Sequence, residues 1–478
     1  MAEAAIVPRR HWRASLLGAA IALAGCSVAM PKLDPPIPAQ WQHAMAAQSA
    51  APADLRDWWR AFDDPALNAL VDQALARNLD VAQAVERLRA ARILQRHEHA
   101  RYLPSLNART EQTIDPDASA SYLVSGFDAT WELGLFGRAK GTRREAQGTL
   151  DAGAADLQAA RVSVVAEVVR NWIELRAAQQ QEQLLLQIGE VRGRQLDLLT
   201  VRQRLQLAPP GAVDQAQAAA AQAAAALAAP RQAINAAAQR LAVLLGQNHP
   251  DPAWLQPGPQ PQLGAWALPG TPADLLRTRP EIAHAEADVL RAAGELGVAH
   301  ADRFPKLGLG ASMIWASDLN NNKRHTVSNG LVSVGPLFDM PLFDWGIRAA
   351  AEHAKSHELK AAVLAYRQAV LQGVAEVETA LGTLQQQQQR EQHSQDAWQA
   401  LARVDGTLET RVKLKLDSSL SLADGRLATE QAAIELADAR ASRSLAYVAL
   451  FKALGGAPLP ADEAPPGAKS GKSAEASP

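Results

Sequence analysis

Beyond Pro305 the chain alternates between apolar and small or polar positions. Leu307, Leu309, Ala311, Met313 and Trp315 fall on one side, and Gly308, Gly310, Ser312, Ile314 and Ala316 on the other. A period of two predicts a strand with one apolar face. The stretch SYLVSGFDATWEL does the same. Leu123, Ser125, Phe127, Ala129, Trp131 and Leu133 oppose Tyr122, Val124, Gly126, Asp128, Thr130 and Glu132. Four strands are predicted, at residues 105–114, 121–133, 306–317 and 327–341. They form two hairpins around the polar loops Ile114–Ser119 and Ser317–His325. Almost everything else is alanine-rich with helical spacing, as at Val162, Val165, Val169 and Trp172, and at Leu371, Val374, Leu381 and Leu384.

The chain is duplicated. ARYLPSLNA resembles ADRFPKLGLGA, with Pro104 matching Pro305. WELGLFGR (Trp131–Arg138) resembles MPLFDWGIR (Met340–Arg348), and LAAPR (Leu227–Arg231) resembles LADAR (Leu436–Arg440). Each copy of this roughly 200-residue unit has one plan. A helix of about 30 residues leads through a proline to a β-hairpin, then a very long helix, a tight break and another helix. The breaks are Leu207–Ala212 and Leu416–Ser421, the first containing Pro209 and Pro210. Pro230 predicts a kink in the helix after the first break, where the second copy has Ala439. The long helices run from about Arg138 to Leu207 and from about Gly346 to Leu416. That is ~100 Å at the helical rise, a length that predicts coiled-coil packing with alanine permitting close approach. The fold class is mainly α with a small β part. The repeats are residues 54–247 and 271–456, joined by the proline-rich linker 248–270 and followed by a disorder-prone tail, 457–478.

Composition narrows the partners. The 478 residues carry 48 basic and 50 acidic side chains, a net charge of -2, which gives no reason to expect nucleic acid. Only 5% are aromatic, so small-residue packing dominates. Arg9, Arg10 and Arg13 precede the apolar run ASLLGAAIALAG and then Cys26, the only cysteine. A basic stretch, a short apolar run and small residues describe a signal peptide, residues 1–25. LAGC (Leu23–Cys26) resembles a bacterial lipobox, which implies a lipid on Cys26 and a tether over 26–53. Ser27, rather than Asp, favours the outer membrane by the same resemblance. The alternative is a coincidental cysteine beside an ordinary signal peptide.

A strand of about ten residues, apolar on one side and polar on the other, suits a transmembrane β-strand. A barrel in lipid must close, and four strands are too few, so several chains are required. The alternative is a soluble pair of hairpins capping the helices.

The duplicated helix–proline–hairpin–long helix–turn–helix unit resembles the outer membrane efflux protein family of TolC and OprM type. The lipobox, the opening DWWRAFDDPALNALVDQAL (Asp57–Leu75) and WELGLFGR resemble its lipoprotein, NodT-like branch. The resemblance implies a trimer with one twelve-stranded outer-membrane barrel continuous with a long periplasmic helical tunnel. It implies a passive exit duct for small toxic compounds or drugs, not an enzyme. The implied partners are a periplasmic adaptor, an inner-membrane transporter of RND or another class, and outer-membrane lipid. No cofactor is implied beyond the lipid on Cys26.

Lipid-facing positions would be Leu123, Phe127, Trp131, Leu307, Leu309, Met313 and Trp315. The family's tips meet the adaptor; here these are Leu207, Ala208, Pro209, Pro210 and Gly211, with Asp417, Ser418 and Ser419 in the second copy. Acidic rings close the family's aperture, and Asp424 and Asp214 stand at the corresponding places. The alternative for both is an acidic first-turn residue complementing the helix dipole. The family usually has glycine in its tips. Gln206, and Lys415 or Leu416, stand there instead, which leaves the tip conformation and adaptor specificity open. His353 and His357 have a zinc-compatible spacing but no third ligand, so no metal site is expected. Two rival functions fit less well. One is the duct of a protein-secretion system. The other is a periplasmic coiled-coil adaptor, which has no use for two amphipathic hairpins.

Overall fold

The computed structural model describes residues 28–34, 37–43, 54–113, 122–268, 272–318 and 331–459. The signal peptide, Cys26, most of both hairpin loops and most of the tail lie outside the described residues. The described chain forms two compact units. One comprises Met1–Pro35, Arg87–Ala154 and Ala283–Ala369, and the other Pro36–Glu86, Ala155–Ile282 and Val370–Pro478.

The first unit holds the sheet. Its strands are β1 (Ser105–Thr113), β2 (Tyr122–Glu132), β3 (Lys306–Asp318) and β4 (Leu331–Asp339). All neighbours are antiparallel, in the order β1-β2-β3-β4. The predicted strand starts hold at Pro104 and Pro305, which cannot donate to the ladder and sit just before strands. β4 ends at Asp339, two residues short of the predicted 341. The helices before the prolines are shorter than the expected 30 residues. Helix α2 (Leu79–His97) has 19, followed by a 3₁₀ turn at Glu98–Tyr102, and α7 (Pro280–Ala301) has 22.

The long helices are α3 (Arg138–Arg204) and α8 (Ile347–Lys413), each of 67 residues, or about 100 Å. Each is entered through a left-handed pair, Phe136–Gly137 and Trp345–Gly346. In the first unit α3 and α7 approach backbone to backbone. A Cβ on Gly294 would lie 2.4 Å from the Glu145 nitrogen, and one on Gly141 2.8 Å from the Gly294 oxygen. Only glycine fits such a crossing.

In the second unit α3 buries Val162, Val165, Val169 and Trp172, as the spacing predicts. The stripe on α8 is turned from the predicted one. Val370, Val377, Leu381 and Leu384 are buried, Val374 is half-buried and Leu371 is exposed. Pro230 lies in the first turn of α5 (Ala228–Leu244), which follows α4 (Ala212–Ala226) after a break at Leu227. Proline is tolerated there because the first N–H groups of a helix have no intrahelical acceptor. The equivalent α9 (Ser419–Ala453), with Ala439 in that place, runs 35 residues unbroken.

The opening segment forms a 3₁₀ turn at Trp58–Phe62, followed by α1 (Pro65–Arg77). Asp64 caps α1 at the backbone of Ala66 and Leu67, and also accepts from the Trp172 indole at 2.7 Å. Trp58 stacks on Phe451 with centroids 5.4 Å apart and donates to the Gly456 carbonyl at 3.0 Å. Tyr447 donates to the Trp58 carbonyl at 3.0 Å, and burial pushes its phenol far above the ordinary value. The proline-rich linker belongs to the same core: Trp266 packs edge-on against Tyr447, 5.1 Å away. After it comes the short helix α6 (Pro272–Arg277). Thus few aromatics suffice, because six of them share one cluster. Trp58→Ala is expected to cost about 3–5 kcal/mol, read as a lowered unfolding midpoint. A shift no larger than that of a surface substitution would show that the cluster is not a core.

Candidate functional site: two helical tips and an apolar sheet face

Both long helices end in the same Schellman turn. At the first tip Gln206 N–H donates to the Gln203 carbonyl at 2.9 Å and Leu207 N–H to Arg202 at 2.8 Å. At the second Lys415 donates to Val412 at 2.9 Å and Leu416 to Arg411 at 2.8 Å. The motif needs a left-handed residue, normally glycine. Gln206 and Lys415 take that role at φ 59° and 61°. The missing glycines therefore leave the backbone turn intact and add strain to it.

The breaks are 205–211 and 414–418. Each opens two residues before its predicted start, Leu207 and Leu416, because the Schellman turns use Leu205 and Gln206 at the first tip and Leu414 and Lys415 at the second. The second also closes earlier: Ser419 is the first residue of α9, and Ser418 is its cap, accepting from Ser421 N–H at 3.0 Å. Asp417 accepts from the Ser418 N–H at 2.8 Å and from Arg411 at 3.2 Å, which holds its carboxyl below the ordinary value. The first tip has no side-chain cap; Gly211, at φ 81°, precedes α4 directly. Pro209 and Pro210 are exposed and Ala208 is half-buried. Leu205 and Leu207 at one tip and Leu414 and Leu416 at the other are 62–68% exposed. Each tip thus presents two exposed leucines beside its left-handed turn.

The two candidate gate residues differ. Asp214 is exposed in the first turn of α4, with no side-chain partner among the described residues. Asp424, also exposed, accepts from Gln195 on α3 at 2.7 Å, and buried Gln195 accepts from Arg192 at 3.1 Å. The repeats place Asp214 opposite Ala423, and Gln215 opposite Asp424, so the two are neighbours rather than equivalents. Sequence reasoning missed Gln195. It also missed an acidic cluster on α8 and α9. One Asp405 oxygen is buried without a hydrogen bond, 3.9 Å from Arg426. Burial raises the Asp405 carboxyl above its ordinary value, with Arg426 opposing and Glu409 assisting. Burial likewise raises Glu430, with Asp405 assisting. Counting outward from the break would have found these residues, since an antiparallel hairpin pairs positions equidistant from its turn.

In the sheet, the register brings the seven predicted apolar residues to one face. Phe127 pairs with Met313 and Trp131 with Leu309, and Leu123, Leu307 and Trp315 share their parity. Phe127, Leu309 and Met313 are exposed, and Phe127 packs edge-on against Trp315 at 6.1 Å. The Trp131 indole is satisfied by the Tyr102 carbonyl at 2.9 Å. The opposite face is mixed, with Val124 and Leu337 among polar residues. It carries Arg109 3.6 Å from Asp128, and Ser312 bonded to Ser333 at 2.8 Å. Among the described residues no helix is long and apolar enough to cross a membrane, and no group of three or more His, Cys, Asp or Glu could hold a metal.

Replacing either strained tip residue by glycine, Gln206→Gly or Lys415→Gly, is expected to stabilise its turn by about 0.5–1 kcal/mol. Slower amide hydrogen exchange at the tip would show this, and faster exchange would contradict the strain. A second expectation concerns pH. Because Asp405 and Glu430 hold protons more tightly folded than unfolded, their part of the hairpin gains stability as pH falls from neutral through their raised pKa values. Asp417 acts in the opposite sense at the turn, where its stabilisation is lost on acidification. Asp405→Asn should therefore increase amide protection around residues 405 and 426 at pH 7 and flatten its rise toward pH ~4. An unchanged profile would remove Asp405 from the account.

The outer membrane efflux protein family matches this chain over residues 70–247 and 271–456. The chain is 29% identical to the pyoverdine export outer membrane protein OpmQ of Pseudomonas aeruginosa, across 92% of this chain and 96% of that one. It is 30% identical to nodulation protein T of Rhizobium leguminosarum bv. viciae, across 87% and 86%. Its fold matches the outer-membrane channel OprN with a TM-score of 0.76 at 29% identity, covering 91% of this chain and 100% of that one. With two matched stretches spanning most of its length, the chain belongs to the outer membrane efflux protein family.

Proposed function

We propose that three copies of this chain close their sheets into one twelve-stranded barrel and line a helical tunnel, forming the passive exit duct of a tripartite pump for small molecules. Family membership makes the protein an outer-membrane efflux channel rather than an enzyme. The observation that supports the trimeric reading is the sheet. Four strands carry one apolar and one mixed face, and β1 and β4 lie at its ends. In lipid such edges need partners, and four strands cannot supply them alone.

The apolar face, Leu123, Phe127, Trp131, Leu307, Leu309, Met313 and Trp315, would meet lipid. The lipid anchor would sit on Cys26. Two residues further on, the Val28 carbonyl accepts from Arg144 near the start of α3, at 2.6 Å and within the unit that holds the sheet. Two extended residues reach about 7 Å, so a lipid on Cys26 would leave the chain close to that unit. The exposed leucines flanking each left-handed turn would dock on a periplasmic adaptor, and an inner-membrane transporter would supply the energy.

Asp424 would form the gate. Three carboxylates around a narrow axis would attract cations and hold water there, and Gln195 orients each of them. Asp424→Ala is expected to raise the resting single-channel conductance in planar bilayers. Unchanged conductance, with the channel still inserted, would take Asp424 out of the gate.

A further inference from the structure

Between the end of α2 and the start of α3, within the unit that holds the sheet, lies a cavity of about 280 Å³. Ligand sites begin near this size, so it suits a small molecule. The 3₁₀ turn after α2 places Glu98 in its wall. Glu98 is 8% exposed, and its carboxylate has no hydrogen bond or ion pair among the described residues. A buried carboxylate without a partner is costly, so the position calls for a cation. Glu145, half-buried on α3, lines the same cavity, and its carboxylate has no hydrogen bond among the described residues. Arg291 on α7 feels the Glu145 charge, but its own hydrogen bonds go to Asp288 and Glu295.

The neutral groups of the wall have spent their protons elsewhere. Thr142 donates to the Arg138 carbonyl at 3.1 Å and Thr149 to the Glu145 carbonyl at 2.9 Å. His97 donates from Nδ1 to the Ile93 carbonyl at 2.8 Å, which leaves Nε2 as an acceptor in the neutral ring. Gln95 turns its amide nitrogen to Gln147 at 3.2 Å, which leaves its own Oε1. The cavity therefore offers acceptors and negative charge. Arg101, exposed, is the one fixed cation in its described lining, and it pairs with neither carboxylate.

The duplication shows what such a place holds. Pro104 aligned with Pro305, and Phe136–Gly137 with Trp345–Gly346, map α2 onto α7 and α3 onto α8. At the corresponding place in the second copy Lys355 donates to Glu295 and to Glu358, both at 2.7 Å. Those carboxylates, Glu295 foremost, hold the ammonium protonated above the ordinary lysine value. Lys355 corresponds to Ala146, Glu295 to Leu94 and Glu358 to Thr149, and these three line the first cavity. Conversely, Glu98 and Glu145 correspond to Ala299 and Ala354. Each copy carries two carboxylates between its paired helices, but the second supplies its own ammonium and the first has alanine in that place.

We propose that the cavity between α2 and α3 binds a small organic cation with several N–H donors, of the diamine or polyamine class, whose ammonium stands where Lys355 stands in the second copy. Two carboxylates favour a ligand with two ammonium groups over one with a single charge. A wall of acceptors favours N–H over N-methyl. The bound amine ties the turn after α2 to α3, as Lys355 ties α7 to α8. The site is complete within one chain, so it does not depend on how copies assemble.

The test is isothermal titration of the full-length, detergent-extracted protein with spermidine at fixed ionic strength, alongside its unfolding midpoint. Saturable binding that raises the midpoint is expected. Glu98→Gln, which keeps the shape of the side chain, is expected to weaken binding about tenfold or more, and Arg101→Gln to strengthen it. Ala146→Lys installs the ammonium of the second copy, and is expected to abolish binding and to raise the midpoint without ligand. Absence of saturable binding overturns the site. So does binding that Glu98→Gln leaves unchanged, a result that decides the matter even where the lysine variant does not fold. Equal binding of tetramethylammonium, a cation without N–H, overturns the donor argument. Short-chain phosphatidylethanolamine displacing spermidine better than putrescine does overturns the free amine as the source and reassigns the site to a lipid headgroup.

Discussion

An unpaired strand edge cannot be left in lipid, and the rest of this protein follows from that constraint. Every backbone N–H and C=O at membrane depth needs a protein partner. A four-stranded sheet with one apolar face satisfies its interior ladders and leaves β1 and β4 with one side each unmatched. Extending the sheet within one chain would take more strands. Assembling copies would achieve closure with a short chain, and would turn every difference between the two edges into a determinant of how copies meet.

Duplication supplies the parts twice and lets them diverge. Both long helices have the same length, both end in the same hydrogen-bonded turn, and Arg231–Glu182 recurs as Arg440–Glu391 across the second hairpin. Those ion pairs explain the arginine shared by LAAPR and LADAR. The divergence is chemical. One tip is capped by Ser418 and stiffened by Asp417, whereas the other relies on two prolines and Gly211. One entry to a long helix hides its aromatic residue against Phe304, and the other displays Trp345 and Phe343. Glycines draw α3 and α7 together where their counterparts are alanine and isoleucine.

Much of this was legible in the residues. Alternation located β2 and β3 to within a few positions because each has one apolar face, the repeated plan placed β1 and β4, and Pro104 and Pro305 mark where helix cannot continue. The length of α3 and α8 followed from uninterrupted helical spacing between two breakers. Less legible was anything that depended on which helix lies alongside. Leu371 has the right spacing to be buried but is exposed, because the neighbours of α8 meet a face one residue away. Gln195 has no local feature that singles it out; its role exists only because α9 brings Asp424 within 2.7 Å. Both breaks began two residues early because glutamine and lysine, not glycine, occupy the left-handed positions, and composition does not announce that conformation. Hairpin pairs such as Asp405–Arg426 were recoverable in principle by counting from the turn.

We propose that this chain works only as a closed ring of copies. Electron microscopy of the detergent-extracted protein, with its mass measured in solution, tests it most directly. The account predicts a three-fold particle with a helical part of about 100 Å and a mass of three chains plus lipid and detergent. A monodisperse single chain of about 51.0 kDa in its detergent belt would contradict it.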